Sequence, residues 1–300
     1  MTLLPAPMHG VAVDAGSGLG AALQAARGAR AAPDDLRYFK RAVLQALGPG
    51  ATTVLLDCEY GPGLLADYPA GCTPMLAHEA DAYRISGVER ITVLPDHLSI
   101  ADYPALGVRQ LKFFMYYAPD DDPSLNARKE GLVATLGAQC RSHGLRFLME
   151  PLVYHLTHAP GSAAFAAAKP ELVRRAVQVF SDPRFFADIL KIEVPVDLAF
   201  VEGHGEPQRT RAQALAACRD VATAAGTVPC VYLSAGVPFE RFEAALVLAR
   251  EAGAGLAGFM CGRALWSDAI GVFGTHGETA LTDWRTGVGR ARLSRLIAAL

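Results

Sequence analysis

Two lysines stand where a lysine is costly. Leu111-Lys112-Phe113-Phe114 and Leu190-Lys191-Ile192-Glu193 each set a cation inside an apolar run, yet only five of the 28 basic residues are lysine: Lys40, Lys112, Lys129, Lys169 and Lys191. Arginine is always charged and makes a poor amine nucleophile, whereas a buried lysine can lose its proton. The ordinary lysine pKa is about 10.4. Burial and a second cation both push it down, freeing a neutral amine to attack a carbonyl. The opposing reading is a buried ion pair, Lys112 with an acid of a neighbouring strand and Lys191 with Glu150 or Glu193. Two strand lysines in a lysine-poor chain favour the nucleophile.

Other polar residues fall at the ends of similar runs. Glu150 closes Phe147-Leu148-Met149-Glu150 and is the candidate proton shuttle, a role compatible with an ion pair to Lys112. Glu193 shares a strand face with Lys191 by the two-residue period, so it is the competing acid or base. Asp14 and Asp57 end two further runs; Asp57 is expected to point inward and Glu59 outward, the strand turning into a loop there. Leu233-Ser234-Ala235-Gly236 and Cys261-Gly262-Arg263 each run into a helix, a common anion-binding arrangement. Gly236 and Gly262 permit close backbone approach, Ser234 can donate, and Arg263 offers a two-pronged fork. The plainer reading of these stretches is two glycine turns and a surface arginine.

The elements that would position these groups alternate along the chain. Strand candidates are His9–Asp14, Thr52–Asp57, Thr73–Ala77, Gln110–Tyr117, Arg146–Tyr154, Ile189–Val196, Cys230–Ala235 and Gly255–Cys261, with Glu89–Leu94 competing for the third place or adding an extra strand. Most are continuously apolar, as in parallel strands covered on both faces. Helix candidates are Asp34–Leu47, Ile100–Leu106, Pro123–His143, Pro170–Phe180, Thr210–Ala225, Pro238–Ala252, Leu265–Val272 and Trp284–Leu300. Pro123, Pro170 and Pro238 are expected in first turns, where a missing amide is tolerated, and Gly144 and Gly253 just past helix ends. Eight strands alternating with helices over 300 residues predict a single-domain (β/α)8 TIM barrel spanning residues 1–300. Its active site lies at the C-terminal ends of the strands.

Composition narrows the function classes. A formal net charge of −2 gives no reason to expect nucleic acid as a partner, and no apolar run approaches the roughly 20 residues of a membrane helix. Met1 to Gly10 lacks the pattern of a secretion signal. Cys58, Cys72, Cys140, Cys218, Cys230 and Cys261 are scattered singly, as in a reduced, cytoplasmic protein. A homo-oligomer is the default expectation for a barrel enzyme.

Leu55-Leu56-Asp57-Cys58-Glu59-Tyr60-Gly61, Leu111-Lys112-Phe113-Phe114-Met115-Tyr116-Tyr117, Ile189-Leu190-Lys191-Ile192-Glu193-Val194-Pro195-Val196, Leu233-Ser234-Ala235-Gly236-Val237 and Cys261-Gly262-Arg263-Ala264-Leu265-Trp266 closely resemble the tagatose 1,6-bisphosphate aldolase family, which includes sulfofructose-phosphate aldolases. The likeness runs in order from about Phe39 to Trp266. It implies a cofactor-free class I aldolase with a sugar-phosphate substrate and Lys191 as the Schiff-base residue. It further implies Glu150 as acid/base, Lys112 as an active-site cation, and Ser234, Gly236 and Arg263 as anion ligands. One stretch departs from the family: Asp14 is kept, but Ala15-Gly16 stand where the family carries Gln-Arg.

Three competing readings have their own residues. Val11-Ala12-Val13-Asp14 followed by Gly16-Ser17-Gly18-Leu19-Gly20-Ala21 resembles a dinucleotide fingerprint, although Asp57 lies too far on to be its ribose-binding acid. Asp57, Glu150 and Glu193 could hold Mg²⁺ in a metal-dependent lyase or hydrolase; no metal is expected, because the histidines avoid the strand ends. A non-catalytic sugar-phosphate-binding barrel would gain little from amines that arginine could replace.

Overall fold

The structure is a computed structural model that describes residues 7–81, 85 and 87–300. The first six residues of the Met1–Gly10 stretch, read above as free of a secretion signal, lie outside it. Eight parallel strands close on themselves in chain order: β1 (Met8–Val13), β2 (Thr53–Leu56), β3 (Thr73–Ala77), β4 (Gln110–Tyr117), β5 (Arg146–Val153), β6 (Ile189–Glu193), β7 (Cys230–Leu233) and β8 (Gly258–Cys261). The ring shuts where Met8 pairs with Gly258 and Val11 with Cys261.

Each strand alternates its side chains between two apolar layers. Inside the ring, Met8, Ala12, Leu55, Met75, Ala77, Leu148, Ile189, Val231 and Met260 form a closed plug. The intervening residues, such as Val11, Leu56, Phe113, Met149 and Ile192, face outward into the larger core beneath the helices. Burial on both faces is why these segments read as unbroken apolar runs rather than alternating ones.

The helices are α1 (Ser17–Arg27), α2 (Pro33–Leu47), α3 (Pro123–Ser142), α4 (Ala163–Phe180), α5 (Arg211–Ala225), α6 (Phe239–Glu251), α7 (Arg263–Trp284) and α8 (Arg290–Ala299). Asp122 caps α3 by accepting from the amides of Ser124 and Leu125, and Ser162 caps α4 through the Phe165 amide. Gly144 and Gly253 follow α3 and α6 with φ of 66° each, the left-handed position expected of them.

Several expectations need correction. Glu89–Leu94 forms no strand, and Thr73–Ala77 holds the third place. Ile100–Leu106 shortens to a 3₁₀ turn over Ile100–Asp102; the connection after β2 is likewise 3₁₀ over Gly61–Asp67. Pro170 lies inside α4, not at its start, because Ser162 supplies the cap eight residues earlier. The glycine-rich stretch after β1 opens α1, which the expected helices omitted. Leu265–Val272 is the front of a longer helix that bends at Gly277 (φ 74°) and reaches Trp284; a π turn over Arg285–Gly289 joins it to α8.

One glycine is fixed by packing. A Cβ on Gly137 of α3 would sit 1.9 Å from the carbonyl oxygen of Phe185. Alanine usually stabilises a helix interior by about 1 kcal/mol over glycine. Here Gly137→Ala is expected to destabilise the fold by about 1–3 kcal/mol, read as a lowered midpoint in urea unfolding.

Candidate active site

The strand alternation carries beyond the apolar plug. Ala12, Leu55, Ala77, Leu148 and Ile189 belong to the plug. Two residues further along the same face stand Asp14, Asp57, Glu79, Glu150 and Lys191. Lys112 follows buried Gln110 in the same way. These groups floor a cavity of about 1150 Å³ at the C-terminal mouth of the barrel, the face on which this fold builds its sites.

Their charges are interlocked. Lys112 Nζ lies 3.0 Å from Asp14 Oδ2, 2.5 Å from Glu79 Oε1 and 2.9 Å from Glu150 Oε2. Lys191 Nζ reaches the same Glu150 oxygen at 3.0 Å. One carboxylate oxygen thus bridges both strand lysines. Burial opposes the charge on Lys112, but Asp14, Glu150 and Glu79 together hold its pKa well above the ordinary lysine value. Lys112 is therefore a fixed cation. Asp14 would be raised by burial, yet Lys112 and then Lys191 hold it well below the usual carboxylate range. Glu79 behaves oppositely: burial outweighs Lys112 and pushes it up to about 7. Among the described residues, no three His, Cys, Asp or Glu side chains are arranged to hold a metal ion.

The competing acids have other partners. Glu193 Oε1 lies 3.3 Å from Lys169 Nζ, and Oε2 accepts the Val153 amide at 2.9 Å. Asp57 lies 2.7 Å from Lys40 Nζ and accepts the amides of Glu59 and Tyr60, so the chain has turned into a loop there and Glu59 is exposed. Lys40 also donates to the carbonyls of Val13 and Ala15, tying α2 to the end of β1. Close by, the Ser17 amide donates to Asp81, and a Cβ on Gly16 would lie 3.0 Å from that carboxyl carbon. The glycine-rich stretch thus makes room for one of the protein's own carboxylates.

The opposite rim is suited to an anion. Buried Ser234 follows β7, and Ala235 and Gly236 take left-handed conformations with φ of 48° and 74°. Gly262 stands just before α7, and Arg263 is that helix's first residue. The Arg263 guanidinium rests on Gly236, where a Cβ would come within 2.8 Å of its Cζ. Among the described residues, Arg263 meets no carboxylate at ion-pair distance.

All the residues singled out at the strand ends line the one cavity. Sequence reasoning missed Glu79, Lys40 and Lys169. Glu79 lies two residues beyond Ala77, where the third strand candidate stopped; continuing the two-residue period would have found it. Lys40 and Lys169 sit among apolar positions of α2 and α4, at helical spacing from Leu36 and Leu44 and from Phe165 and Leu172. Only their burial in otherwise apolar stripes signals a role.

Glu79 sets a pH dependence. Its folded pKa of about 7 exceeds the ordinary 4.5, so folding favours the protonated acid. Its contribution is complete below about pH 4.5 and is lost as pH rises through 7. Glu79→Gln is therefore expected to flatten the fall in unfolding free energy between pH 4.5 and 7, measured by urea titration at each pH.

Comparisons with known proteins agree with this geometry. Residues 9–268 match the family described as DeoC/LacD family aldolase. The tagatose 1,6-diphosphate aldolase of Listeria monocytogenes (strain EGD-e) is 32% identical over 292 residues, covering 95% of this chain and 85% of that protein. Tagatose 1,6-diphosphate aldolase 1 of Streptococcus pyogenes serotype M1 is 38% identical over 256 residues, covering 83% and 77%. Among solved structures, the fructose-bisphosphate aldolase of Plasmodium falciparum superposes with a TM-score of 0.73 at 14% identity, covering 96% of this chain and 89% of that one, a likeness of fold. With its charged strand-end layer and eight-stranded ring, the chain belongs to the DeoC/LacD aldolase family.

Proposed function

We propose that this barrel, as a single domain, is a class I aldolase that reversibly cleaves a ketose phosphate to dihydroxyacetone phosphate and an aldehyde. The observation that carries the reading is the Glu150 oxygen 3.0 Å from Lys191 Nζ and 2.9 Å from Lys112 Nζ. It pairs an amine for imine formation with a carboxylate able to move protons and a permanent cation to hold both. The names of the relatives put tagatose 1,6-diphosphate in the matching substrate class. Six free, buried cysteines support a reducing, cytoplasmic setting.

In the cleavage direction, neutral Lys191 attacks the C2 carbonyl, and the resulting carbinolamine loses water to give an iminium. The iminium is an electron sink that splits one difficult step into easier ones. Glu150, directly or through a water, takes the C4 hydroxyl proton, the C3–C4 electrons pass into the iminium, and the aldehyde leaves. The remaining enamine is protonated at C3 and hydrolysed, releasing dihydroxyacetone phosphate and restoring Lys191. Lys112, held by Asp14 and Glu79, keeps Glu150 within reach of the reacting carbons. Ser234, Gly236, Gly262 and Arg263 receive a phosphate, while Asp57 fixes the wall of the site through Lys40.

Borohydride reduction in the presence of dihydroxyacetone phosphate should leave a single adduct on Lys191 by peptide mass spectrometry, unaffected by EDTA. An adduct on Lys112 alone would sink the assignment. Lys191→Met should abolish turnover and trapping while the far-ultraviolet circular dichroism spectrum is kept. Glu150→Gln should lower kcat by roughly 10²–10⁴-fold.

A further inference from the structure

Forming an iminium consumes a proton. A neutral amine and a ketone give a neutral carbinolamine, whose hydroxyl leaves as water only once it is protonated. One proton must therefore enter the buried charged layer at this step and return at hydrolysis. Bringing a net charge into such a layer is costly, because little water is there to solvate it.

Glu79 is built to hold that proton. Its side chain is buried and lines the cavity, and Oε1 lies 2.5 Å from Lys112 Nζ. Its other oxygen, Oε2, is buried with no hydrogen-bond partner among the described residues. An ionised oxygen so placed has no donor to stabilise it, whereas the protonated acid carries no charge. The backbone holds the side chain there. The His78 amide donates to the Lys112 carbonyl and the Ala80 amide to the Val93 carbonyl, each at 2.8 Å, and Cys58 Sγ donates to the Glu79 carbonyl at 3.2 Å.

The groups that face Glu79 are Asp14 from β1, Cys58 after β2, Tyr103 just past the 3₁₀ turn, Lys112 from β4 and Glu150 from β5. Burial pushes the Cys58 thiol up to about 12, raises the Tyr103 hydroxyl and lowers the neighbouring His78 to about 4. Asp14 stays ionised and Lys112 stays charged. None of these changes state near neutral pH, whereas Glu79 does so at about 7.

We propose that Glu79 stores the proton that iminium formation consumes and recovers it at hydrolysis, so that the charged layer keeps one net charge through turnover. The proposal rests on the Schiff-base reading of Lys191. At rest, Asp14 and Glu150 are carboxylates, Lys112 is an ammonium, and Lys191 and Glu79 are neutral, which leaves one net negative charge. The Asp57–Lys40 and Glu193–Lys169 pairs cancel. As the carbinolamine forms, Lys112 passes a proton across 2.9 Å to Glu150 and receives the Glu79 proton after a half-turn of that carboxyl group. Glu150 gives its proton to the departing hydroxyl, and water leaves. The iminium is now positive and Glu79 negative, so the sum is unchanged. Cleavage moves the C4 hydroxyl proton to Glu150 while the iminium becomes a neutral enamine, and protonation at C3 reverses both. Hydrolysis returns one proton to Glu79 by the same path. Glu79 acts only through Lys112 and Glu150, as a positioning residue.

Calorimetry in two buffers of different ionisation enthalpy counts the protons taken up when dihydroxyacetone phosphate is added, per adduct that borohydride then traps. At about pH 6, wild type should take up about one proton fewer per adduct than Glu79→Gln, which keeps an oxygen for Lys112 but stores no proton. At about pH 8.5 Glu79 is already ionised, and the two should agree. Equal counts at the lower pH overturn the proposal, since a merely structural Glu79 moves no proton. So does a difference that persists undiminished at the higher pH. Should Glu79→Gln not fold, infrared difference spectroscopy tests the wild type, with the ketone band shifted aside by carbon-13 at the substrate carbonyl. At the lower pH a protonated-carboxyl band should vanish as the adduct forms; its persistence overturns the proposal. An adduct on Lys191 with equal counts removes only the role of Glu79, and a missing adduct removes the Schiff-base reading with it.

Discussion

One carboxylate oxygen shared by the Nζ atoms of two buried lysines governs the architecture of this barrel. Removing an ion from water costs several kcal/mol even after relaxation, and Lys112 and Lys191 are 3% and 4% exposed. Asp14 from the end of β1 and Glu79 from beyond β3 join Glu150 around Lys112. The charged layer therefore draws together strands from around the whole ring. A barrel that failed to close between β8 and β1 would leave Asp14 away from Lys112, one fewer carboxylate around a cation with nowhere else to go.

The layer beneath makes this tolerable. The inner plug is apolar at the level of Ala12, Leu55 and Leu148, and the charged groups gather beyond it at the C-terminal mouth. Within that level the partners divide the work. Lys40 and Lys169 bind Asp57 and Glu193, which removes two acids from contention and leaves Glu150 facing the amines. Opposed environments then push carboxylates in opposite directions, Asp14 down and Glu79 up. Such separation lets neighbouring groups of one chemical type serve different ends.

Much of this was legible in the residues. Gln110–Tyr117 and Thr73–Ala77 coincide with β4 and β3, because an apolar run bounded by polar turns leaves little choice of ends. Elements fixed by contacts outside their own segment were harder to see. Pro170 suggested a helix start, yet α4 begins at Ala163 and absorbs the proline, keeping Lys169 in place against Glu193. Ile100–Leu106 has helical spacing, but only three of its residues close a 3₁₀ turn. At the site, the strand-end acids and lysines were visible because charge inside an apolar run is conspicuous. Glu79 was not, because it lies two residues past the last residue of β3 while the side-chain alternation goes on.

All five lysines are buried: Lys40, Lys112, Lys129, Lys169 and Lys191. Every other basic side chain is arginine, so the folded surface presents guanidinium groups and no side-chain amines. Proteases that cut after lysine find no exposed site until the barrel opens, and acylating labels, aldehyde fixatives and sugar-derived glycating agents meet no lysine on the outer surface. In a cell that handles reactive carbonyls, an exterior stripped of lysine spares the protein stray imines, keeping that chemistry inside the barrel mouth.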